Sequence, residues 1–255
     1  MTTPIRRPRA LRLARCCAPV GALLGALLLG GCATAPAAPA AGDPLQGYNR
    51  AMFTINDKVD KAVVRPLAVE YRKLAPTPVR RGVGNFFGNM TDAWSAANDV
   101  MQLHIGQAAP DILRVEVNTV FGFFGLIDIA TDMGLYRHPN DFGLTLARYG
   151  VGSGPYIVLP LLGPSTLRDG SGTIVDDYVY SPTVALSHNV AERNSALGLE
   201  LIDRRAALLP TTDMLANIAL DPYVFTRDAY LQRRAAQVHA VRAEGLLPPA
   251  EDGNE

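Results

Sequence analysis

The stretch Tyr149–Leu167 reads YGVGSGPYIVLPLLGPSTL and contains nineteen residues without a charge. Its length is close to that of a membrane span. Glycines and prolines would break any helix through it, and they lie at Gly150, Gly152, Gly154, Pro155, Pro160, Gly163 and Pro164. An irregular backbone in lipid needs protein or water to satisfy its polar groups. The segment is therefore expected at the interface, lining a cavity or in the core, and short apolar runs favour the core.

Strand patterns are scarce in this chain. Residues 155–160, PYIVLP, form the one plausible strand, and the flanking glycines and prolines keep it short. At most a short hairpin near residues 150–162 is expected. A second apolar segment, Val117–Ile127 (VNTVFGFFGLI), is uncharged and carries three phenylalanines.

The rest of the chain from Asp43 onward predicts a mostly α-helical protein in short pieces separated by prolines. Asp43–Pro44 and Asp221–Pro222 are typical of an N-cap followed by the first helical residue. The last helix has an apolar stripe at three- and four-residue spacing, with its arginines, including Arg233 and Arg234, mostly off the stripe. The predicted helices lie near residues 44–62, 66–74, 78–87, 91–103, 108–122, 142–149, 166–180, 183–209, 212–219 and 222–244.

The amino-terminal residues have the order of a secretory signal. Five arginines precede an uncharged, mostly apolar run from Cys16 to Gly31, which ends in Leu29-Gly30-Gly31-Cys32. A cysteine after this small pair predicts a bacterial lipoprotein, cut before Cys32 and acylated there. Three acyl chains exceed the two signals that stable anchoring needs. An uncut single-pass anchor is the alternative, but the apolar run is short for about 20 residues of span.

These patterns divide the chain into four parts. Residues 1–31 are the expected signal peptide, 32–42 a lipidated Ala/Pro tether, 43–244 a helical domain and 245–255 a flexible tail. After removal of the signal, 19 basic residues face 24 acidic ones, a net charge of −5. Scattered charges of this sign argue against nucleic-acid binding, which requires a clustered basic face. Cys32 would be the only cysteine left, which excludes a disulfide and cysteine-based metal sites.

The sequence displays no enzyme motif in its proper context. Asp141-Phe142-Gly143 spells the kinase DFG, but the glycine-rich loop, the strand lysine and the catalytic loop are missing. There is no G-x-S-x-G elbow, no H-E-x-x-H pair and no G-x-G-x-x-G fingerprint. We therefore expect no catalytic residue, no metal site and no cofactor. Between His138 and Asp141 a hydrogen bond that stabilises a turn is expected.

Several strings, taken in order, resemble one family. They run from DPLQGYNR at residues 43–50 through NFFGN at 85–89 and GLID at 125–128 to DFG at 141–143. GPY at 154–156, LPLLGPS at 159–165 and RD at 168–169 follow, and DPY at 221–223 with RDAYLQR at 227–233 closes the set. The match covers roughly residues 43–234 and resembles the MlaA (VacJ) family of outer-membrane lipoproteins.

The resemblance implies a phospholipid-transfer function. Such a protein is a ring of helices embedded in one membrane leaflet, with an amphipathic central channel. It removes mislocalised phospholipids from the outer leaflet of the outer membrane and so maintains lipid asymmetry. The implied partners are phospholipid, the outer membrane, a trimeric porin and a soluble periplasmic shuttle that feeds an inner-membrane ABC transporter. The implied location is the periplasmic side of the outer membrane, and Ala33 agrees because an Asp after the lipidated cysteine would favour the inner membrane.

Within that interpretation, residues receive candidate roles. The lipid-contact candidates are Phe121, Phe123, Phe124, Leu126, Tyr156, Leu159, Leu161 and Leu162. The structural motif comprises Asp43, Pro44, Asn85, Asp128, Asp141, Pro155, Gly163, Pro164, Arg168, Asp169, Asp221 and Pro222. Four of its charged members, Asp128, Asp141, Arg168 and Asp169, are expected either to form structural ion pairs and caps or to contact lipid. Two other functions stay open: a lipid-modifying envelope enzyme, and a passive structural lipoprotein.

Overall fold

The computed structural model describes residues 43–179 and 189–243, without the side chains of residues 178, 179 and 216–218. The expected signal peptide at 1–31, the tether at 32–42 with its lipidation site Cys32, and the tail at 245–255 lie outside the described residues.

Most of the described residues are helical. Helices α1 (Gln46–Val59) and α2 (Arg65–Leu74) are joined by a π-helical turn, Asp60–Val64. The chain continues through α3 (Thr77–Met101), α4 (Ile105–Val120), α5 (Ile129–Asp132) and α6 (Phe142–Arg148). The strands β1 (Tyr156–Leu159) and β2 (Gly163–Thr166) follow, then α7 (Leu167–Ile174) with a second π-helical turn, Val175–Val179. Helices α8 (Val190–Ile218) and α9 (Pro222–Ala243) complete the described chain. The predicted all-α class with one short hairpin is confirmed.

The expectation of separate short helices is wrong for three pairs of predicted helices. Segments 44–62 and 66–74 form one continuous helical segment, in which the π-helical turn ends at Val64, two residues before Pro66. Segments 78–87 and 91–103 merge into α3, which has 25 residues. Residues 183–188 of segment 183–209 lie outside the described residues, and the rest of that segment merges with segment 212–219 into α8, which has 29 residues and contains Pro210. The Arg205 guanidinium donates to the Thr212 hydroxyl at 3.0 Å and so joins the two sides of that proline.

The uncharged stretch of residues 149–167 builds the hairpin. Strands β1 and β2 are antiparallel, and Tyr156 pairs with Thr166 while Leu159 pairs with Gly163. The Asn49 side chain of α1 holds β1 by donating to the Tyr156 carbonyl at 3.0 Å and accepting from the Val158 N–H at 2.9 Å. Asn56 makes the same pair of contacts further along α1, with the Leu159 carbonyl and the Leu161 N–H. Helix α1 therefore fixes the position of the hairpin tip.

The predicted N-cap at Asp43 is wrong. Helix α1 has Leu45 as its N-cap, and the buried Asp43 carboxylate instead accepts from Asn49 at 3.0 Å and from the Tyr223 hydroxyl. Asp221, at the start of α9, accepts from the backbone N–H groups of Tyr223 and Val224 at 3.0 and 3.1 Å. Asp43 thus joins the beginning of the domain to α9, a contact that local sequence signals do not contain.

Buried polar side chains are as prominent as buried apolar ones among the described residues. One apolar cluster consists of Ala68, Ala206 and Leu209, and another of Tyr156, Val158 and Tyr223. Buried charges such as Arg114, Asp169 and Arg234 accompany them. Within residues 43–179 and 189–243, no helix has both the length and the apolar content needed to cross a bilayer.

Candidate functional site

Two cavities open beside the hairpin, and helix α8 borders both. The first, the α9 cavity, has a volume of about 760 Å³ and lies between α1, α8 and α9. The second, the α3 cavity, has about 850 Å³ and lies between α3, the hairpin tip and α8. Six residues of α8 between positions 193 and 204 line the α3 cavity, and five between positions 205 and 215 line the α9 cavity. Both volumes fall within the range of roughly 300–1,000 Å³ that small-molecule pockets occupy.

The α9 cavity is apolar along its length with charges at intervals. Phe53, Leu208, Leu215 and Phe225 contribute apolar wall, and Pro164 of the hairpin closes one side. Its charged lining residues are Asp57, Asp60, Lys61, Arg65, Arg205, Asp213 and Arg233.

Three of the four cations in the α9 cavity are neutralised by neighbours. Arg205 and Asp60 form a bidentate pair at 2.7 and 2.8 Å. Arg65 pairs with Asp213 at 3.0 Å, and Lys61 with Asp57 at 2.8 Å. Among the residues that the structure describes, Arg233 has no carboxylate partner.

The α3 cavity is amphipathic with the opposite charge balance. Its apolar wall includes Phe87, Met90, Leu197 and the hairpin-tip residues Leu161 and Leu162. Its charged lining residues are Asp141, Asp176, Asp177, Glu200, Arg193 and Arg204. Four carboxylates therefore face two guanidinium groups, and Glu200 forms an i,i+4 pair with Arg204 at 2.5 Å.

Asp176 is the most perturbed carboxylate of the α3 cavity. Burial raises the pKa of its carboxyl to about 6, although the Trp94 indole N–H and the Phe142 backbone N–H donate to it at 2.6 and 3.1 Å. The charges of Asp141 and Asp177 raise this pKa further. At neutral pH Asp176 is mostly ionised in spite of its raised pKa. The two hydrogen bonds that it accepts join the π-helical turn after α7 to α3 and α6.

Asp176→Asn is expected to stabilise the protein above pH 7. A raised pKa in the folded state means that Asp176 contributes stability below its unfolded-state pKa of 3.8 and loses that contribution as the pH rises through about 6. Discounted for partial solvent exposure, the gain at pH 7.5 is about 1 kcal/mol. The amide oxygen of the introduced side chain would still accept from Trp94 and Phe142. Thermal unfolding followed by circular dichroism between pH 4 and 8 checks this, and an unchanged pH dependence in the variant would contradict it.

The apolar loop after α4 presents its aromatic rings to the outside. Phe123 and Phe124 are 72% and 73% exposed, and both have a positive φ, of 56° and 59°. Non-glycine residues rarely adopt this conformation. The loop is nevertheless well held, because the Gly125 N–H donates to the Asn118 carbonyl at 2.8 Å and the Asn85 amide donates to the Leu126 carbonyl at 3.2 Å. Phe121, Leu126, Leu161 and Leu162 are also exposed.

Tyr156 is not at the surface, so its candidate role in lipid contact is wrong. It is 3% exposed and packs edge-on against Tyr223, with Tyr230 beside it. The alternation of strand β1 explains this, because Tyr156 and Val158 point to the core while Leu159 is only half-buried.

Two buried ion-pair networks hold the walls of the site. In the first, Arg114 of α4 donates to Asp92 of α3 at 2.8 Å and to Asp128, before α5, at 2.7 Å. Burial opposes ionisation of Asp128, but hydrogen bonds from Thr131 and Arg114 lower its pKa to about 2.

In the second network, Arg234 of α9 donates to Asp141 at 2.6 Å and to Asp169 at 2.9 Å, and so joins α9 to the first turns of α6 and α7. Arg168 pairs with Asp169 as well, at 2.7 Å. Burial works against the charge of Arg234, but the two carboxylates raise its pKa. Arg234 is therefore buried although it lies outside the predicted apolar stripe.

The backbones of α6 and α7 lie close together beside the second network. A Cβ on Gly172 of α7 would lie 2.6 Å from the backbone nitrogen of Gly143 in α6. The Asp141-Phe142-Gly143 string thus serves helix packing: Asp141 caps α6 by accepting from the Leu144 N–H at 2.9 Å.

His138 forms a hydrogen bond with Asp111 at 3.2 Å, so the predicted hydrogen bond between His138 and Asp141 is wrong. No group of three metal-ligating side chains occurs in the described part of the chain.

The sequence interpretation missed the cavity walls on α8 and α9. On α9, the residues facing the cavity recur at spacings of three and one, at Pro222, Phe225, Thr226, Ala229, Tyr230 and Arg233. This second stripe is distinct from the predicted apolar stripe of the same helix. A helix with two partly apolar faces is a signal for packing on one side and a cavity on the other.

Comparison with known proteins gives consistent matches. A sequence profile of the MlaA lipoprotein family matches residues 41–237. The Escherichia coli (strain K12) protein called intermembrane phospholipid transport system lipoprotein MlaA is 37% identical over 236 residues, which cover 91% of each chain. Its Haemophilus influenzae namesake is 31% identical over 232 residues, covering 86% of this chain and 89% of that one.

A solved chain has the same fold. It comes from work on the structural basis for maintenance of bacterial outer membrane lipid asymmetry, and it superposes with a TM-score of 0.66 at 37% sequence identity. The match covers 77% of this chain and 98% of the solved one.

Proposed function

The chain belongs to the MlaA lipoprotein family, and on that premise we propose that it transfers intact phospholipids between membranes. In this proposal it takes mislocalised phospholipids from the outer leaflet of the outer membrane through an amphipathic channel. It then passes them to a soluble periplasmic shuttle that feeds an inner-membrane ABC transporter. Lipid asymmetry is maintained in this way, beside a trimeric porin and with Cys32 acylated on the periplasmic side.

One observation carries the proposal. A single helix, α8, and a single hairpin border two cavities whose walls are apolar with charges at intervals. A phospholipid has a charged head and long apolar tails, so a path for it needs both kinds of wall. The α9 and α3 cavities supply both along consecutive turns of α8, and we assign them to that path.

The exposed loop supports an embedded position. The exposed rings of Phe121, Phe123 and Phe124 would be costly to leave in water, and a strained, well-held loop that keeps them outside fits insertion into a leaflet. In this proposal the exposed rings contact one leaflet only.

Gene deletion tests the proposed transfer. Cells lacking this chain are expected to accumulate phospholipid in the outer leaflet of the outer membrane and to become sensitive to detergent, and the wild-type gene is expected to reverse both. Unchanged leaflet composition in the deletion strain would refute the proposal. Phospholipid turnover by the purified protein, lost on a single Ser or His substitution, would instead favour a lipid-modifying enzyme.

The double variant Phe123→Ser/Phe124→Ser is expected to weaken membrane binding. In a Cys32→Ala background the acyl anchor is gone, and burial of apolar rings supplies the affinity for vesicles. Loss of both rings should lower the partition coefficient at least tenfold, since burying a phenylalanine contributes roughly 1.5–3 kcal/mol. Flotation with phospholipid vesicles measures it, and Phe123→Trp/Phe124→Trp is the control that keeps interfacial rings. A Cys32→Ala protein that floats with no vesicles at all would favour a passive, water-exposed lipoprotein.

A further inference from the structure

We infer that the α9 cavity contains a binding site for the phosphodiester of a glycerophospholipid head group, with Arg233 as the residue that binds the phosphate. The inference rests on the proposed function, since it names where in the phospholipid path the head group is held.

The charge balance of the cavity points to an anion. Its lining holds three carboxylates and four cationic side chains. Three of those cations are neutralised in ion pairs: Arg205 with Asp60, Arg65 with Asp213 and Lys61 with Asp57. Within the described residues, this leaves one positive charge, that of Arg233. A phosphodiester carries one negative charge, so the phosphodiester of a single bound lipid would balance this positive charge.

The chemistry of the remaining cation fits a phosphate. The guanidinium presents a planar fork of N–H donors that matches two phosphate oxygens, and it stays charged at any physiological pH. Arg233 is exposed, so water screens part of this attraction, while Leu208, Phe225 and Ala229 supply apolar wall in the same cavity.

The order of residues along α9 separates head from tails. The stripe that faces the cavity begins with Pro222 and Phe225, continues through Ala229 and Tyr230, and ends at Arg233. This length of α-helix spans roughly 16 Å. A phosphate at Arg233 therefore leaves an apolar path of that length toward Pro222, along which acyl chains can lie.

The α3 cavity is the poorer place for a phosphate. Arg193 also has no carboxylate partner within the described residues. Of the four carboxylates that line its cavity, Glu200 pairs with Arg204 and Asp141 with Arg234, which leaves Asp176 and Asp177 to face Arg193. Their combined repulsion disfavours an anion there. The two cavities thus differ in the sign of their excess charge, and the phosphate is expected in the α9 cavity.

Binding of short-chain lipids to the purified full-length chain in detergent tests the site. The probes are dihexanoyl phosphatidylglycerol, dihexanoylglycerol with the same tails and no phosphate, and glycerol 3-phosphate with no tails. We expect Arg233→Gln to weaken binding of the phosphatidylglycerol about tenfold, as loss of a charged hydrogen bond does, and to leave dihexanoylglycerol binding unchanged. Arg233→Lys should retain part of the affinity. The control is Arg72→Gln, because Arg72 is exposed, lines neither cavity and has no ion pair in the described chain.

Each other outcome overturns the inference in a distinguishable way. Equal loss for both lipids would mean that Arg233 only shapes the cavity, and no loss would mean that it does not bind phosphate. Glycerol 3-phosphate binding as tightly as the lipid would mark a site for free phosphate. If the wild-type chain binds neither lipid, the proposed phospholipid path fails as well, whereas binding of both lipids with equal affinity removes only the phosphate site.

Discussion

Arg114→Met is expected to destabilise the folded protein by about 3–5 kcal/mol, the cost of breaking a buried ion pair by removing one partner. Arg114 is fully buried, and it bonds Asp92 at 2.8 Å, Asp128 at 2.7 Å and the Thr131 hydroxyl at 2.9 Å. The substitution leaves two carboxylates facing each other without their shared cation. Arg137 lies 3.2 Å from Asp92 but is partly exposed, so it compensates only in part. Equilibrium unfolding by urea in detergent solution measures the loss.

Two further variants make this result specific. Lys73→Met removes an exposed i,i+3 pair with Glu70, and we expect it to change stability by about 0.5 kcal/mol or less. Adding Asp92→Asn and Asp128→Asn to Arg114→Met should restore part of the loss, because no unpaired carboxylate remains. A wild-type unfolding midpoint for Arg114→Met would show that this network does not hold α3, α4 and α5 together.

Leu208→Trp is expected to block phospholipid transfer while the protein still folds. Leu208 lines the α9 cavity and is 53% exposed, so a larger ring enters open space and does not overpack the core. In the deletion strain, this variant should leave outer-leaflet phospholipid at or near the level seen without the protein. A membrane-impermeant amine reagent that labels phosphatidylethanolamine on intact cells provides the measurement.

The matched control for this variant lies on the same helix. Leu199 is also a partly exposed leucine of α8, but it lines neither cavity. Leu199→Trp should therefore complement the deletion as the wild-type gene does. Full complementation by Leu208→Trp at equal protein level would contradict the assignment of the α9 cavity to the lipid path.

Much of the fold is predictable from the sequence, because the hairpin and the helices depend mainly on residues that are neighbours in the chain. The hairpin followed from glycine and proline around a short apolar run, and the helical class from spacing and proline positions. The breaks at Pro66 and Pro210 were wrong because a neighbouring π-helical turn and the Arg205–Thr212 contact accommodate them. The spacing of apolar residues and prolines in the sequence does not predict a π-helical turn or a side-chain contact of this kind.

The site was less predictable because it is built from long-range pairing. The charge of Arg233 becomes significant only when Arg205, Arg65 and Lys61 are seen to be neutralised, and the partners of both arginines come from distant parts of the chain. Arg234 looks like a surface residue by its type, and only the converging carboxylates of Asp141 and Asp169 make its burial favourable. Exposure of Phe123 and Phe124 likewise depends on a backbone conformation that composition alone does not specify.

Photo-crosslinking in living cells tests the central claim most directly, namely that intact phospholipid occupies the cavities along α8. A benzoylphenylalanine is placed at Leu208 in one strain and at Leu199 in another, and the cells are labelled with radioactive phosphate. The account predicts a radioactive adduct at position 208 whose mass is that of a complete phospholipid, and little or none at position 199. No phospholipid adduct at position 208, or equal labelling of both positions, would contradict it.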